Sequence, residues 1–233
     1  VKKDIPAAIA AARVRHPTIE FACAPHLGLG REIFAIVKRR LDGLMRDMAM
    51  PDPRTTGVIL LGRGSSDASA NGDMARLARW VYEASDHELV DIAFTDVTHP
   101  RLESVVQRQV RLGMSQILVQ PVYLFSGVLI ERIGAQMARL RPVYPQASFA
   151  LGSYFGHDEG LLALLDERAT AAATDDALLD CDGCAFQQAA AEHVHPHGHD
   201  AGHGAAPDPR RHHHHAAPSA PTHGGGGDHL HHA

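Results

Sequence analysis

Two spacings of apolar residues alternate along the chain. Short apolar runs bounded by turn-forming residues fall at Val58 to Leu61, Leu89 to Phe94, Gln116 to Val119 and Ser148 to Leu151, and each predicts a strand. Between and after them, apolar residues recur every three or four positions over Asp73 to Ala84, Leu102 to Leu112, Leu129 to Leu140 and Glu159 to Ala169, the period of helices with one buried face. Upstream, Asp4-Ile5-Pro6 places an acidic cap and a first-turn proline ahead of an alanine-rich helix to Arg15. A strand is expected at Ile19 to Ala24, then a helix from Arg31 to Met48, which Met50-Pro51-Asp52-Pro53 breaks as a linker. Unbroken alternation of strand and helix predicts an α/β fold with a parallel, doubly wound sheet, whose ligands bind at the carboxyl ends of the strands.

The chain also repeats itself. With Pro17 set over Pro145, the segment "VKKDIPAAIAAARVRHPTIEFACAPHLGLGREIFAIVKRR" overlies "LIERIGAQMARLRPVYPQASFALGSYFGHDEGLLALLDER" without a gap. Ile5 meets Ile133, Phe21 meets Phe149, Gly28 meets Gly156, Ile33 meets Leu161 and Val37 meets Leu165. Generic helix-strand-helix periodicity reproduces the apolar matches, but not the coincident Pro, Phe and Gly. The expected organisation is therefore the end of a first repeat at 1–50, a second repeat at 51–172, a cysteine-bearing segment at 173–190 and a tail at 191–233. On this reading most of the first repeat precedes residue 1.

Composition narrows the functional classes. With 45% hydrophobic residues in 233, the chain can bury a sizeable core. A formal net charge of −5, with basic residues scattered over helix faces, gives no electrostatic footing for nucleic acid. No apolar run approaches the ~20 residues of a membrane span and no charged-then-apolar leader opens the chain, so no membrane partner and a soluble, cytoplasmic setting are expected. Three cysteines are too few for a disulfide framework, and the Cys181-x-x-Cys184 spacing in a reducing compartment points to metal or redox chemistry. Cys23, on an expected strand, reads as a core residue.

Candidate ligand-binding residues sit where strands end. In "VILLGRGSSDASANGD" the first strand runs into Gly62-Arg63-Gly64-Ser65-Ser66, which offers a guanidinium, two hydroxyls and free backbone N–H groups. The alternative is an ordinary βα turn in which Ser66 or Asp67 caps a helix. Neither GxGxxG nor GxxxxGK[ST] is present, and GxSxG is absent as well. His99 follows the next strand as a ligand contact, a weak metal ligand, or simply the residue before Pro100 at a helix start. Tyr123, Phe125 and Ser126 follow the third and form an apolar wall or plain packing. His26 and His157 follow the two duplicated strand segments, His26 as a site neighbour and His157 as a surface or capping residue.

Together the run "VILLGRGSSDASANGD", the later "TDVTHPRLESVVQRQVRLGMSQILVQPVYLFSGVLIERI", the opening "VKKDIP" and a late CxxC followed by histidines resemble the long form of the sirohydrochlorin cobaltochelatases, class II tetrapyrrole chelatases of cobalamin and siroheme synthesis. The resemblance covers about Val1 to Cys184. It implies tandem doubly wound, flavodoxin-like lobes facing across a cleft, the first truncated here. A divalent metal, Co²⁺ or else Ni²⁺ or Fe²⁺, is inserted into a tetrapyrrole without ATP. The family's two catalytic histidines would both precede residue 1, and their second-repeat counterparts are Arg63 and Val128, neither of which donates a lone pair to a metal. Sirohydrochlorin is rimmed with carboxylates, so the resemblance makes Arg63, with Ser65 and Ser66, a grip for substrate, and His99, Tyr123 and His26 its neighbours.

The resemblance further implies a [4Fe–4S] cluster at Cys181 and Cys184, although Leu179 stands where the family pattern has Met. Two thiolates fill only half of four ligand positions, which implies a homodimer or a labile cluster; idle or redox-active thiols are the alternative. From Glu192 on, His, Gly, Ala, Pro and Asp dominate and no core can form, so disorder is expected. His193, His195, His197, His199 and His212, His213, His214, His215 suit Co²⁺, Ni²⁺ or Zn²⁺ and read as a metal reservoir for the chelatase. Two other classes remain in view: a non-catalytic cobalt or nickel storage protein, and an iron–sulfur redox or regulatory protein.

Overall fold

The computed structural model describes residues 4–174. Its elements run α1 Asp4–Arg15, α2 Arg31–Asp47, β1 Thr56–Gly62, α3 Ala68–Glu83, β2 Val90–Phe94, α4 Leu102–Arg111, β3 Gln116–Pro121, α5 Val128–Val143, β4 Ser148–Leu151 and α6 Glu159–Thr174. The four strands form one sheet in the order β2-β1-β3-β4, every pair parallel. No described helix is long and apolar enough to cross a membrane.

Alternation along β1 builds the layers. Val58 and Leu60 face one side of the sheet with Leu118, while Ile59 and Leu61 face the other with Ile117 and Val119. A strand apolar on both faces must be covered twice, and here α2, α3 and α6 cover the first face and α4 and α5 the second. The helices meet the sheet through residues spaced three or four apart: Met74, Leu77, Ala78 and Val81 on α3, and Leu102, Val105, Val106 and Gln109 on α4. Gln109 is buried but bonded, its amide donating to the Val58 carbonyl at 3.1 Å and to Asp91 at 2.9 Å.

Helix α2, which lies upstream of the Met50 to Pro53 linker, packs on the sheet downstream of it. Ile33, Ile36, Val37 and Leu41 are buried in the same cluster as Val58, Leu60 and Leu118, and Leu161 and Leu164 of α6 join them. Some positions matched by the sequence alignment also match in local geometry. With Pro17 over Pro145, the last residue of α1 overlies that of α5 and the first residue of α2 overlies that of α6. Gly28 and Gly156 both adopt positive φ, 68° and 62°, ahead of those helices.

Two expectations fail. No strand forms at Ile19 to Ala24; the chain there is irregular, and Cys23 is exposed rather than part of the core. An extended segment becomes a strand only by exchanging backbone hydrogen bonds with a neighbour, and no described strand lies beside this one. Helix α3 begins at Ala68, earlier than the Asp73 expected, because Asp67 caps it by accepting from the Ser69 N–H at 2.9 Å.

Candidate functional site

The parallel strands open their carboxyl ends on one edge. After β1 the chain turns to the α3 face, and after β3 it turns to the α5 face. Because β1 and β3 are neighbours whose loops lead to opposite faces, the boundary between them is the switch point at which open doubly wound sheets hold ligands in a crevice.

The loop after β1 is held tightly. Gly64 has φ 87°, and a Cβ there would stand 2.9 Å from Thr98 Cγ2, so only glycine lets this turn approach the loop after β2. The Thr95 and Asp96 N–H groups donate to the Gly62 and Arg63 carbonyls at 2.9 and 3.1 Å, extending the strand pairing into the two loops. Asn71, in the first turns of α3, reaches back: its Oδ1 accepts from the Ser65 N–H at 3.0 Å and its Nδ2 donates to the Ser65 carbonyl at 2.8 Å. Ser65 Oγ accepts from the Asp67 N–H at 3.0 Å. The Ser65 backbone donor is thus occupied within the turn, while its hydroxyl, which accepts from Asp67, keeps its own proton and Ser66 is exposed. The Arg63 side chain is exposed and makes no hydrogen bond or ion pair among the described residues.

Tyr123 stands after β3 with its ring against the α4–α5 face of the core and its hydroxyl 2.6 Å from Thr95 Oγ1. Burial pushes its pKa above the ordinary phenol value, against the opposing pull of the Thr95 hydrogen bond and the nearby Arg63 charge. The phenol is therefore neutral at physiological pH and keeps its hydrogen-bonding tip. Val97, Leu124, Phe125 and Val128 expose large apolar surfaces on loops and a helix start at this same edge. His99 is exposed after β2, in a turn tied to the sheet by the Phe94 N–H donating to the Pro100 carbonyl at 2.8 Å. His26 is exposed on the segment that enters α2, its ring 3.7 Å from where a Gly28 Cβ would be. His157 is exposed on the loop after β4.

The structure thus gathers Arg63, Ser65, Ser66, His99 and Tyr123 along the carboxyl edge of the sheet. Asn71 and Thr95 shape that edge without having been foreseen. Asn71-Gly72 is ordinarily a turn signal, which hides that both lie inside a helix; nothing in the local sequence marks Thr95 as the partner of a tyrosine in the loop after β3. Among the described residues no three His, Cys, Asp or Glu side chains are placed together to hold a metal ion. Cys181 and Cys184, and His193, His195, His197, His199 and His212 to His215, lie outside the described residues.

The family model CbiX matches residues 1–44 and 57–172. The chain is 32% identical to a sirohydrochlorin cobaltochelatase of Priestia megaterium over 196 residues, 84% of this chain and 64% of that protein. It is 26% identical to a sirohydrochlorin ferrochelatase of the same organism over 167 residues, 72% of this chain and 60% of the relative. The chain therefore spans less than two thirds of the length of these relatives. Among solved structures, SirB from Bacillus subtilis with Fe³⁺ shares the fold, with a TM-score of 0.60 at 24% identity, covering 73% of this chain and 65% of SirB.

Proposed function

The chain belongs to the CbiX family, and we propose that it contributes the substrate-gripping part of a chelatase that inserts a divalent metal ion into sirohydrochlorin or a closely related acidic tetrapyrrole. The observation that carries this reading is Arg63: a guanidinium at the β1/β3 crevice, on a loop fixed by Gly64 and Asn71, with no partner among the described residues. A free guanidinium at a fixed position matches a carboxylate in a bidentate manner, and the macrocycle carries carboxylates around its rim. The apolar edge formed by Leu124, Phe125 and Val128 offers the flat ring a surface, and Tyr123 presents a neutral hydroxyl beside it.

The metal is substrate rather than resident cofactor. Co²⁺ is our reading, following the relative with the higher identity, with Fe²⁺ as the competitor because the other relative is a ferrochelatase, and Ni²⁺ admitted by the tail's imidazoles. Insertion requires a group that takes the pyrrole protons as the metal enters; Arg63 and Val128, at the positions of the family's histidines, can serve neither as metal donors nor as that base. We read the tail histidines as a store that raises the local ion supply.

Absorbance titration of the full chain with sirohydrochlorin tests the proposal. Replacing Arg63→Gln removes a charge-assisted bond and is expected to weaken binding about tenfold or more, with Arg63→Lys intermediate; unchanged binding would refute the grip. Comparing insertion rates for Co²⁺, Fe²⁺ and Ni²⁺ decides the metal. Removing residues 191–233 is expected to lower the number of Co²⁺ ions bound while leaving sirohydrochlorin affinity unchanged.

A further inference from the structure

Beside the crevice, between the ends of β3 and β4, lies a hollow of about 360 Å³ walled by Phe125 and Tyr154, floored by Arg40, and rimmed by Ser126, Ser153 and His157. Its loop is fixed from several sides. The Phe155 and Gly156 N–H groups donate to the Tyr123 and Leu124 carbonyls at 2.8 and 2.7 Å. The Gln120 amide donates to the Ser153 carbonyl at 2.9 Å from beneath. Arg40, arriving on α2, donates to Ser153 Oγ at 2.7 Å, to the Phe155 carbonyl at 2.9 Å and to Asp158 at 3.3 Å. A hollow held by this many bonds exists before any ligand enters, so little ordering opposes occupancy.

Its chemistry favours an anion. Asp158 answers two arginines, since Arg39 also donates to both of its oxygens at 2.6 and 2.7 Å, so the Arg39-Arg40-Asp158 group carries one net positive charge. Ser126 and His157 are exposed and make no side-chain hydrogen bond among the described residues. Ser153 Oγ accepts from Arg40 and so keeps its own proton to donate. Three donors thus line the hollow together with Arg40, beside the rings of Phe125 and Tyr154. The same loop is bonded directly to the crevice edge, its Phe155 N–H donating to the Tyr123 carbonyl.

We infer that this hollow is a second carboxylate subsite, holding one acidic arm of the tetrapyrrole whose neighbouring arm Arg63 holds. The inference rests on the proposed tetrapyrrole site and adds that the macrocycle is fixed at two points, which sets its rotation in the cleft. The donors to the arm are Ser126, Ser153 and His157; Arg40 acts as a positioning residue, because its hydrogen bonds hold the loop.

The test uses the full 233-residue chain and uroporphyrin I, an air-stable tetrapyrrole with eight carboxylates, titrated by its own fluorescence. The double variant Ser126→Ala/His157→Ala, at exposed positions, is expected to bind about tenfold more weakly with an unchanged melting temperature, as loss of two hydrogen bonds to a charged group implies. His157→Gln, which keeps a donor, is expected to retain most of the affinity. If the double variant binds as tightly as the parent while Arg63→Gln binds weakly, the subsite is overturned and the Arg63 site stands. If both bind as the parent does, the tetrapyrrole site itself is overturned. If only the double variant weakens, the hollow stands and the grip by Arg63 falls.

Discussion

Helices α1 and α5 have matching sequence patterns and end at equivalent positions of the repeat, yet their surroundings differ completely. Ile133 of α5 is 1% exposed beside Met137 and Leu140, whereas its counterpart Ile5 in α1 is 46% exposed and α1 buries no residue. The segments that follow diverge further: Ser148–Leu151 pairs with β3 as β4, while the matching residues 20–23 remain irregular. A helix satisfies its own backbone, so the local pattern suffices to form α1. A strand depends on residues distant in sequence, and the same pattern forms β4 only because β3 lies alongside.

Paired substitutions test this contrast. Ile133→Ala opens a cavity under α5 and is expected to cost about 2–5 kcal/mol, whereas Ile5→Ala should stay within about 0.5 kcal/mol; urea unfolding of both variants measures the gap. Equal losses would mean that Ile5 is buried in solution. The second pair is Arg40 and its counterpart Arg168. Arg40 ties α2 to the loop after β4, while Arg168 bonds within its own helix to Glu167. Arg40→Ala is expected to cost about 1–3 kcal/mol by orphaning its partners, and Arg168→Ala less.

The smallest effect concerns the helix starts. Asp158 precedes α6 where Gly30 precedes α2. Partial burial would raise the Asp158 pKa, but hydrogen bonds from Arg39, from the Gly160 N–H and from Arg40 hold it below the usual carboxylate value. A depressed folded-state pKa means the unfolded chain binds the proton more readily. The stabilisation is therefore present above the unfolded-state pKa of about 3.8 and is lost as pH falls through the folded-state value. Asp158→Asn is expected to flatten the acid limb of a stability–pH profile; an unaltered limb would show that Asp158 contributes nothing to it.

Much of the fold downstream of Pro53 is legible along the chain. The four downstream strands appear where short apolar runs meet turn residues, and β4, a partly buried strand at the sheet edge, occupies its expected bounds. Arg63 and Tyr123 are legible as strand-end residues from the same pattern. Bonds between distant segments are not: Asn71 on Ser65, Thr95 on Tyr123 and Arg40 on the Ser153 loop each join residues whose local sequences carry no sign of the other. The start of α3 is obscured because Ser69, Asn71 and Gly72 are weak helix formers, and the Asp67 cap offsets that weakness only once it is in place. The strand expected at Ile19 to Ala24 fails from the opposite cause, a sound local pattern with no neighbour.

The placement of α2 has a practical corollary for dissecting this protein. A cut at the proline-rich linker, which looks like a natural boundary, would carry Ile33, Ile36, Val37 and Leu41 away from Val58, Leu60 and Leu118. The remainder would present bare aliphatic sheet to solvent and lose Arg40 from the hollow beside the crevice. Such a fragment should aggregate rather than behave as an autonomous module, so the covalent hinge and the mechanical seam of this molecule lie in different places.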